Sequence, residues 1–292
     1  MRYAISNWIY GQEPLRDSFA RLARFGYDAI ELVGEPGRYS VPEVKALTQE
    51  FGVQVTSILT WCIWGIPGRD MAAPNKKERR AALSYGRKCV DLAASFGALV
   101  VVVLPAPAGR TSPVLRTKTE VSWKKGRARE WEYAVESIRA LAEYAAKHNI
   151  VLGLEPINRY ETYLIMSLDH ALSFLKAVGA ANLKIHLDTF HMNLEEPDPA
   201  GAIRRAGSLL VNMHVSDSNR EAPGRGHMAF EDLLRALREI DYQGVLALEP
   251  VPPGADALLA AAMSDNLPLR DRYAEEGIRY LRGLEQRMET AR

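Results

Sequence analysis

Four ionisable side chains end four successive apolar runs in the second half of the chain. They are Glu155, Asp188, His214 and Glu249. Three carboxylates brought close together would repel one another strongly unless a cation lay among them. Carboxylate oxygens with one imidazole suit Mn²⁺ or Mg²⁺ better than structural zinc, which favours cysteine and histidine ligands. The residue types therefore predict a divalent-metal site, provided that the fold brings the four side chains together.

The spacing of these four residues favours a shared site. An acid at the end of a single strand is more often a turn residue or the cap of the next helix. Successive positions are 26 to 35 residues apart, however, which is close to the length of one βα repeat. The same arrangement on four consecutive strands is far harder to explain by separate caps.

Three further polar residues follow these strand ends: Glu161, His191 and Arg220. Taken singly, His191 could cap a helix and Arg220 could form a surface ion pair. Beside a metal ion, the three could hold hydroxyl or carbonyl groups by charge-assisted hydrogen bonds. We therefore interpret them as substrate-binding residues.

Eight segments have the apolar character of buried strands, and amphipathic helical patterns separate them. The segments are 2–8, 28–33, 53–59, 98–104, 150–155, 183–188, 209–215 and 245–249. Eight alternations predict an α/β fold, a (β/α)₈ TIM barrel, whose active site lies at the C-terminal ends of the strands. An open doubly wound sheet is the rival, but no Gly-x-Gly-x-x-Gly follows the first strand. We expect one domain, 1–292, with a C-terminal helix at about 271–288.

Local signals mark where several helices begin and end. The segments "RFGYDAIELV", "EFGVQVTSIL" and "SFGALVVVVL" each pass from a helical pattern through Phe-Gly into an apolar run. Glycine just past a helix is a common stop because it accepts positive φ. Ser167 and Asp198 have the positions of N-caps.

The composition excludes several classes of protein. The net charge is +1, so the chain has no strong nucleic-acid footprint. No run of about 18 apolar residues occurs, and the N-terminus lacks the apolar core of a signal peptide. Two cysteines, Cys62 and Cys89, give no disulfide framework. We expect a cytoplasmic protein that binds neither nucleic acid nor membranes.

Aromatic residues and one cysteine in the first half are candidates for lining the pocket, although aromatic residues at strand ends are as often ordinary core. The candidates are Trp8, Tyr10, Trp61, Cys62, Trp64 and Trp123.

Residues 105–130 are long for a βα connection. Between Arg110 and Arg129 this segment carries one acid, Glu120, and seven basic residues: Arg110, Arg116, Lys118, Lys124, Lys125, Arg127 and Arg129. The general expectation is a solvated surface loop. The alternatives are a clamp for a phosphorylated or anionic substrate, or an interface with another chain. Residues 250–270 are predicted to be a long last βα loop with a short helix.

The sequence resembles the D-tagatose/D-allulose (psicose) 3-epimerase family of the xylose-isomerase-like barrel superfamily. The resemblance is carried by "LEPINRYE" (154–161), "LDTFHMNLEE" (187–196), "HVSDSNREAPGRG" (214–226) and "LEP" (248–250). It runs through about residues 145 to 250 and is mainly architectural in the first half.

The resemblance implies a role for each residue of these stretches. The implied ligands of a divalent metal, often manganese, with Mg²⁺ or Co²⁺ as alternatives, are Glu155, Asp188, His214 and Glu249. The implied sugar contacts are Glu161, His191 and Arg220. Glu155 and Glu249 would double as acid and base on opposite faces of the substrate, and a homodimer or homotetramer is expected.

Three functional hypotheses follow. The first is a metal-dependent ketose 3-epimerase that abstracts the C3 proton and stabilises a cis-enediolate. The second is a related enzyme on the same site, namely a sugar isomerase, an inosose isomerase or dehydratase, or a 3-keto-glycoside lyase. The third is a non-catalytic sugar- or metal-binding barrel, which the two intact candidate acid/base carboxylates disfavour.

Overall fold

Eight parallel strands are hydrogen-bonded in chain order and form a closed barrel, which confirms the predicted TIM-barrel fold. This computed structural model describes residues 1–113, 119–254, 260–261 and 263–290. The strands are β1 (Arg2–Ser6), β2 (Ala29–Val33), β3 (Gln54–Leu59), β4 (Val100–Val103), β5 (Val151–Leu154), β6 (Leu183–Asp188), β7 (Leu210–Val215) and β8 (Val245–Leu248).

Helices connect the strands, as the alternating patterns predict. Within the described ranges they are α1 (Leu15–Phe25), α2 (Val41–Phe51), α3 (Lys76–Phe96), α4 (Glu120–Ala146), α5 (Leu168–Val178), α6 (Thr189–Glu195), α7 (Pro199–Ala206), α8 (Phe230–Glu239) and α9 (Leu267–Thr290). Short 3₁₀ helices lie at Asn7–Tyr10, Gly207–Leu209 and Ser264–Asn266. The C-terminal helix is thus longer at both ends than the predicted 271–288.

The predicted helix boundaries are confirmed at the Phe-Gly junctions. Gly26, Gly52 and Gly97 follow α1, α2 and α3 with φ of +80°, +71° and +75°, a conformation that costs glycine nothing extra. Ser167 and Asp198 cap α5 and α7, because each side chain accepts a hydrogen bond from a backbone N–H in the first turn.

The chain folds as two compact units. The first comprises Met1–Val33, Tyr39–Ser57 and Leu187–Arg292, and the second comprises Gly34–Arg38 and Ile58–His186. In the first unit, β1 lies between β2 and β8, and β8 also pairs with β7. In the second unit, β5 lies between β4 and the start of β6. That the chain forms one domain, 1–292, stays a prediction.

The expectation of one long loop at 105–130 is wrong, because α4 begins at Glu120 after the N-cap Thr119. Arg110 is also not a solvated loop residue, since its side chain is buried and ion-paired with Asp70 and Glu130. Lys124, Lys125, Arg127 and Arg129 belong to the helix. Arg116 and Lys118 lie outside the described residues.

Within the described part of the chain, no helix has both the length and the apolar character needed to cross a membrane.

Candidate metal and catalytic site

Three of the four predicted metal ligands lie together in the first unit. Asp188 is the last residue of β6, His214 lies near the end of β7, and Glu249 follows β8. All three are buried. His214 Nε2 lies 3.3 Å from Glu249 Oε1, and His214 Nδ1 lies 4.0 Å from Asp188 Oδ2.

Asp188 serves two purposes at once. Its Oδ1 accepts a hydrogen bond from the N–H of Phe190 at 2.8 Å and so caps α6. Its Oδ2 faces His214 and also lies 3.7 Å from His191 Nε2. Helix capping and membership of the cluster are thus not alternatives here, because the Asp188 carboxylate does both.

Arg220 bridges two of these carboxylates. One guanidinium nitrogen, Nη1, donates to Asp188 Oδ2, and the other, Nη2, donates to Glu249 Oε2 at 2.5 Å. Its backbone has a positive φ of +65°, which is unusual outside glycine. The loop is held in that shape by Asp217, whose carboxylate accepts the backbone N–H groups of Ser218, Gly224 and Met228.

The two bridged carboxyl groups differ in acidity. Burial raises the pKa of Glu249 to about 7, against the lowering effect of His214 and Arg220. Burial also disfavours the charged form of Asp188, but Arg220, His191 and His214 together hold the pKa of that carboxyl well below its usual range. At neutral pH the site thus contains one firmly ionised carboxylate and one that titrates near pH 7.

Glu31 is a functional candidate that the sequence reasoning missed. It lies in the middle of β2, and none of its surface is exposed. Its Oε1 lies 2.7 Å from His214 Nε2. Glu31, His214 and Glu249 each offer a ligand atom, and these atoms all lie within 4.8 Å of one another. The signal in the sequence is a lone acid inside the apolar run Ala29–Val33.

Trp8, a predicted pocket residue, contacts the cluster directly. Its indole Nε1–H donates to Glu249 Oε1 at 2.7 Å. Tyr10 is buried instead, with the Arg21 guanidinium 4.3 Å from its ring centroid. That Trp8 or Tyr10 lines a substrate pocket stays a prediction.

Glu155 and Glu161 lie in the second unit. Glu155 directly follows β5, is buried, and has its Oε1 3.8 Å from Nε2 of the fully buried His186. Glu161 is oriented by Asn158, whose side-chain amide donates to Glu161 Oε1 at 2.7 Å. The backbone carbonyl of Glu161 accepts a hydrogen bond from Gly109 at 2.8 Å. That these two residues join the cluster of the first unit stays a prediction.

The other predicted pocket residues differ in exposure. Cys62 is buried, whereas Trp64 is 51% exposed and Trp123, on α4, is 37% exposed. Trp61 donates its backbone N–H to the Tyr85 hydroxyl.

The residues of the first unit fit a divalent cation by their chemistry. Asp188, His214 and Glu249 supply carboxylate oxygens and an imidazole, the donor types that Mn²⁺ and Mg²⁺ accept. In this structure the two carboxylates share one positive group, the Arg220 guanidinium.

Comparison with known proteins agrees with this fold. The model of the xylose isomerase-like TIM barrel family matches residues 19–284. The D-psicose 3-epimerase of Ruminiclostridium cellulolyticum is 33% identical over 236 residues, which are 79% of this chain and 76% of that protein. The 3-dehydro-D-guloside 4-epimerase of Escherichia coli is 30% identical over 250 residues, covering 85% of this chain and 92% of that protein.

A solved structure is similar over almost the whole chain. The crystal structure of D-psicose 3-epimerase with D-tagatose, from Clostridium cellulolyticum, superposes with a TM-score of 0.82 at 25% identity. The similarity covers 97% of this chain and 99% of that one. The chain therefore belongs to the xylose isomerase-like TIM barrel family and, within it, to the D-tagatose/D-allulose (psicose) 3-epimerase family.

Proposed function

We propose that this protein is a metal-dependent ketose 3-epimerase that inverts C3 of a free ketose by proton removal and return. The observation that supports this most is the convergence of Asp188, His214 and Glu249 in the first unit, with Arg220 bridging the two carboxylates. The similarity to D-psicose 3-epimerase supports the same reaction type.

Two glutamates would act as the acid and the base of this reaction. Inversion of a carbon next to a carbonyl needs a base on one face of the substrate and an acid on the other. We assign these roles to Glu249 and Glu155. Trp8 holds Glu249 in place through its indole N–H.

The proposed metal ligands are Glu155, Asp188, His214 and Glu249, and Mn²⁺ is the proposed ion. When bound, a divalent cation supplies Lewis-acid stabilisation of the negative charge that develops on the carbonyl oxygen during proton removal. Glu161, His191 and Arg220 would position the substrate by hydrogen bonds to its hydroxyl groups.

The proposed substrate is neutral, because two arginines of residues 105–130, Arg110 and Arg127, are engaged by partners within the protein. Arg110 is ion-paired with Asp70 and Glu130. Arg127 donates to the backbone carbonyls of Tyr163 and Leu164 at 3.1 and 2.9 Å. These contacts disfavour the alternative of a phosphate clamp.

Proton exchange in D₂O tests the proposal. Free ketoses are incubated with the protein and Mn²⁺ in D₂O and followed by NMR. We expect deuterium at C3 together with a new C3 epimer. Exchange at C1 instead would identify an aldose–ketose isomerase, and no exchange with any free ketose would refute the proposal.

A second candidate is 4-epimerisation of a 3-keto-glycoside, which also removes a proton beside a carbonyl. Its support is the 30% identity to 3-dehydro-D-guloside 4-epimerase over 92% of that protein. The same D₂O experiment with a methyl 3-dehydrohexoside distinguishes the two, because deuterium would then enter at C4. Release of methanol from that glycoside would instead identify a lyase.

A further inference from the structure

Glu31 is a buried carboxylate to which neither the sequence motifs nor the proposed mechanism gives a role. Its oxygens are both engaged. Oε1 lies 2.7 Å from His214 Nε2, while Oε2 accepts hydrogen bonds from Ser57 Oγ at 2.7 Å and from Asn212 Nδ2 at 3.2 Å. Three neighbouring side chains therefore fix the position of this carboxylate at the wall of the site.

The hydrogen-bonding chemistry decides which imidazole nitrogen carries the proton. An ionised carboxylate can only accept hydrogen bonds, so the nitrogen that contacts it must donate. His214 Nε2 faces Glu31 and also lies 3.3 Å from a second carboxylate oxygen, that of Glu249. Both neighbours favour the tautomer with the proton on Nε2 and the lone pair on Nδ1.

The other nitrogen points to the candidate metal site. His214 Nδ1 lies 4.0 Å from Asp188 Oδ2, a separation that two ligands of one ion can have. Histidines that bind metals commonly donate their second N–H to a carboxylate, which fixes the tautomer and the ring orientation. The contact between Glu31 and His214 has this form.

We infer that Glu31 is a positioning residue, which holds the His214 ring with Nε2 protonated and presents Nδ1 to the metal. The inference rests on the proposed metal site. It distinguishes Glu31 from a ligand, because an ion bound between Glu31 and His214 would need the lone pair of Nε2, which would then carry no proton.

Metal affinity tests this role without measuring catalysis. Mn²⁺ binding is measured by titration calorimetry for the wild type, for Glu31→Gln, and for Glu130→Gln as a matched control. Glu130 is an equally buried carboxylate, but it pairs with Arg110 and Tyr163 in the second unit. We expect Glu31→Gln to weaken Mn²⁺ binding by about 10- to 100-fold, and Glu130→Gln to leave it within about twofold. Equal losses in both variants, or no loss in Glu31→Gln, would overturn the inference.

NMR of the wild type tests the geometry even if Glu31→Gln does not fold. In ¹⁵N-histidine-labelled protein saturated with Mg²⁺, the His214 signals are assigned by their absence from His214→Gln. We expect a protonated Nε2 and an unprotonated Nδ1. An unprotonated Nε2 would show that this nitrogen, rather than Nδ1, binds the metal, and would refute the role of Glu31.

These measurements separate the inference from the proposed function. Wild-type protein that binds Mn²⁺ with a protonated Nε2 but epimerises no ketose would refute the proposed function and retain the role of Glu31. Wild-type protein that binds no divalent ion would refute both.

Discussion

At the scale of single residues, each buried carboxylate of the site has partners that offset the cost of burying its charge. Asp188 and Glu249 share the Arg220 guanidinium, and the Glu31 carboxylate accepts hydrogen bonds from Ser57 and Asn212. A buried carboxylate without such partners would be neutralised by protonation. The arrangement therefore keeps several acids within a few ångströms of one imidazole, and these are donor types that a divalent ion such as Mn²⁺ accepts.

Replacement of Glu249 by glutamine tests its assignment as an acid/base residue. The amide cannot exchange a proton with carbon, but it keeps the size of the side chain and can still accept the hydrogen bond from Trp8. We expect Glu249→Gln to lower kcat by about 10²- to 10⁴-fold with an unchanged circular dichroism spectrum. The check is steady-state epimerisation of the best ketose substrate, and near-normal rates would remove Glu249 from the mechanism.

Replacement of Asp188 by asparagine separates its two purposes. The amide oxygen can still accept the hydrogen bond from Phe190 that caps α6, so the fold should be retained. The loss of one negative ligand should weaken Mn²⁺ binding by more than the roughly 100-fold that outer partners cost. Calorimetry measures the affinity, and a thermal melt close to that of the wild type serves as the control. An unchanged affinity would contradict the assignment of Asp188 as a ligand.

At the scale of elements, the sequence predicts strands and helix ends, which depend on neighbouring residues. It does not predict contacts between residues that are far apart in the chain. The strands and several helix ends are legible because apolar runs and Phe-Gly stops are local signals. Glu31 was missed because its partners Ser57 and Asn212 lie 26 and 181 residues away in the chain. Only the closed sheet brings them to one carboxylate.

The first turns of α4 were missed for a different reason. Their inward positions include Gly126 and Glu130, both buried, where an amphipathic pattern would have apolar residues. Glycine also lowers helix propensity by about 1 kcal/mol relative to alanine. The many lysines and arginines between these positions then resemble a loop, although Glu130 is used inside the protein by Arg110.

The cluster of Arg110, Asp70 and Glu130 makes the stability of the second unit depend on pH. Two buried carboxylates meet one guanidinium, and burial raises the pKa of Asp70 to about 6 in spite of Arg110. The unfolded value is about 3.9, so the folded protein binds this proton more tightly. The stabilisation from that proton is fully present below pH of about 4 and is lost as the pH rises through about 6.

Asp70→Asn should abolish this dependence, because the amide does not titrate. We compare the unfolding free energy of the variant with that of the wild type at each pH. We expect this difference, variant minus wild type, to rise by about 2 to 3 kcal/mol as the pH is raised from 4 to 8. Urea denaturation of both proteins at several pH values gives the difference, in which the effects of distant groups cancel. Parallel curves would show that Asp70 has an ordinary pKa in the folded protein.

At the scale of the whole molecule, the closed barrel places the C-terminal ends of all eight strands on one face, where barrel enzymes have their active sites. The barrel fold could be predicted from the eight alternating strand and helix patterns in the sequence. The number of subunits could not, because it depends on surface residues that follow no such periodic pattern. A homodimer or homotetramer stays our proposal, and so does a cytoplasmic location.

The charge of the molecule bears on whether its substrate is neutral or anionic. The net charge is only +1, and the described arginines of residues 105–130 are bound to protein partners, as Arg110 is to Asp70 and Glu130. A neutral ketose gains nothing from long-range electrostatic steering, whereas association with an anion would weaken as salt screens the field. We therefore expect kcat/KM for a free ketose to change by less than about twofold between 20 and 300 mM NaCl.

A ketose 1- or 6-phosphate at the same concentration should neither react nor compete. The double variant Arg116→Gln/Lys118→Gln removes two further cations of this segment, and we expect it to behave like the wild type. Steep loss of kcat/KM with salt, or competition by the phosphate that this variant abolishes, would instead make residues 105–130 an anion-binding segment.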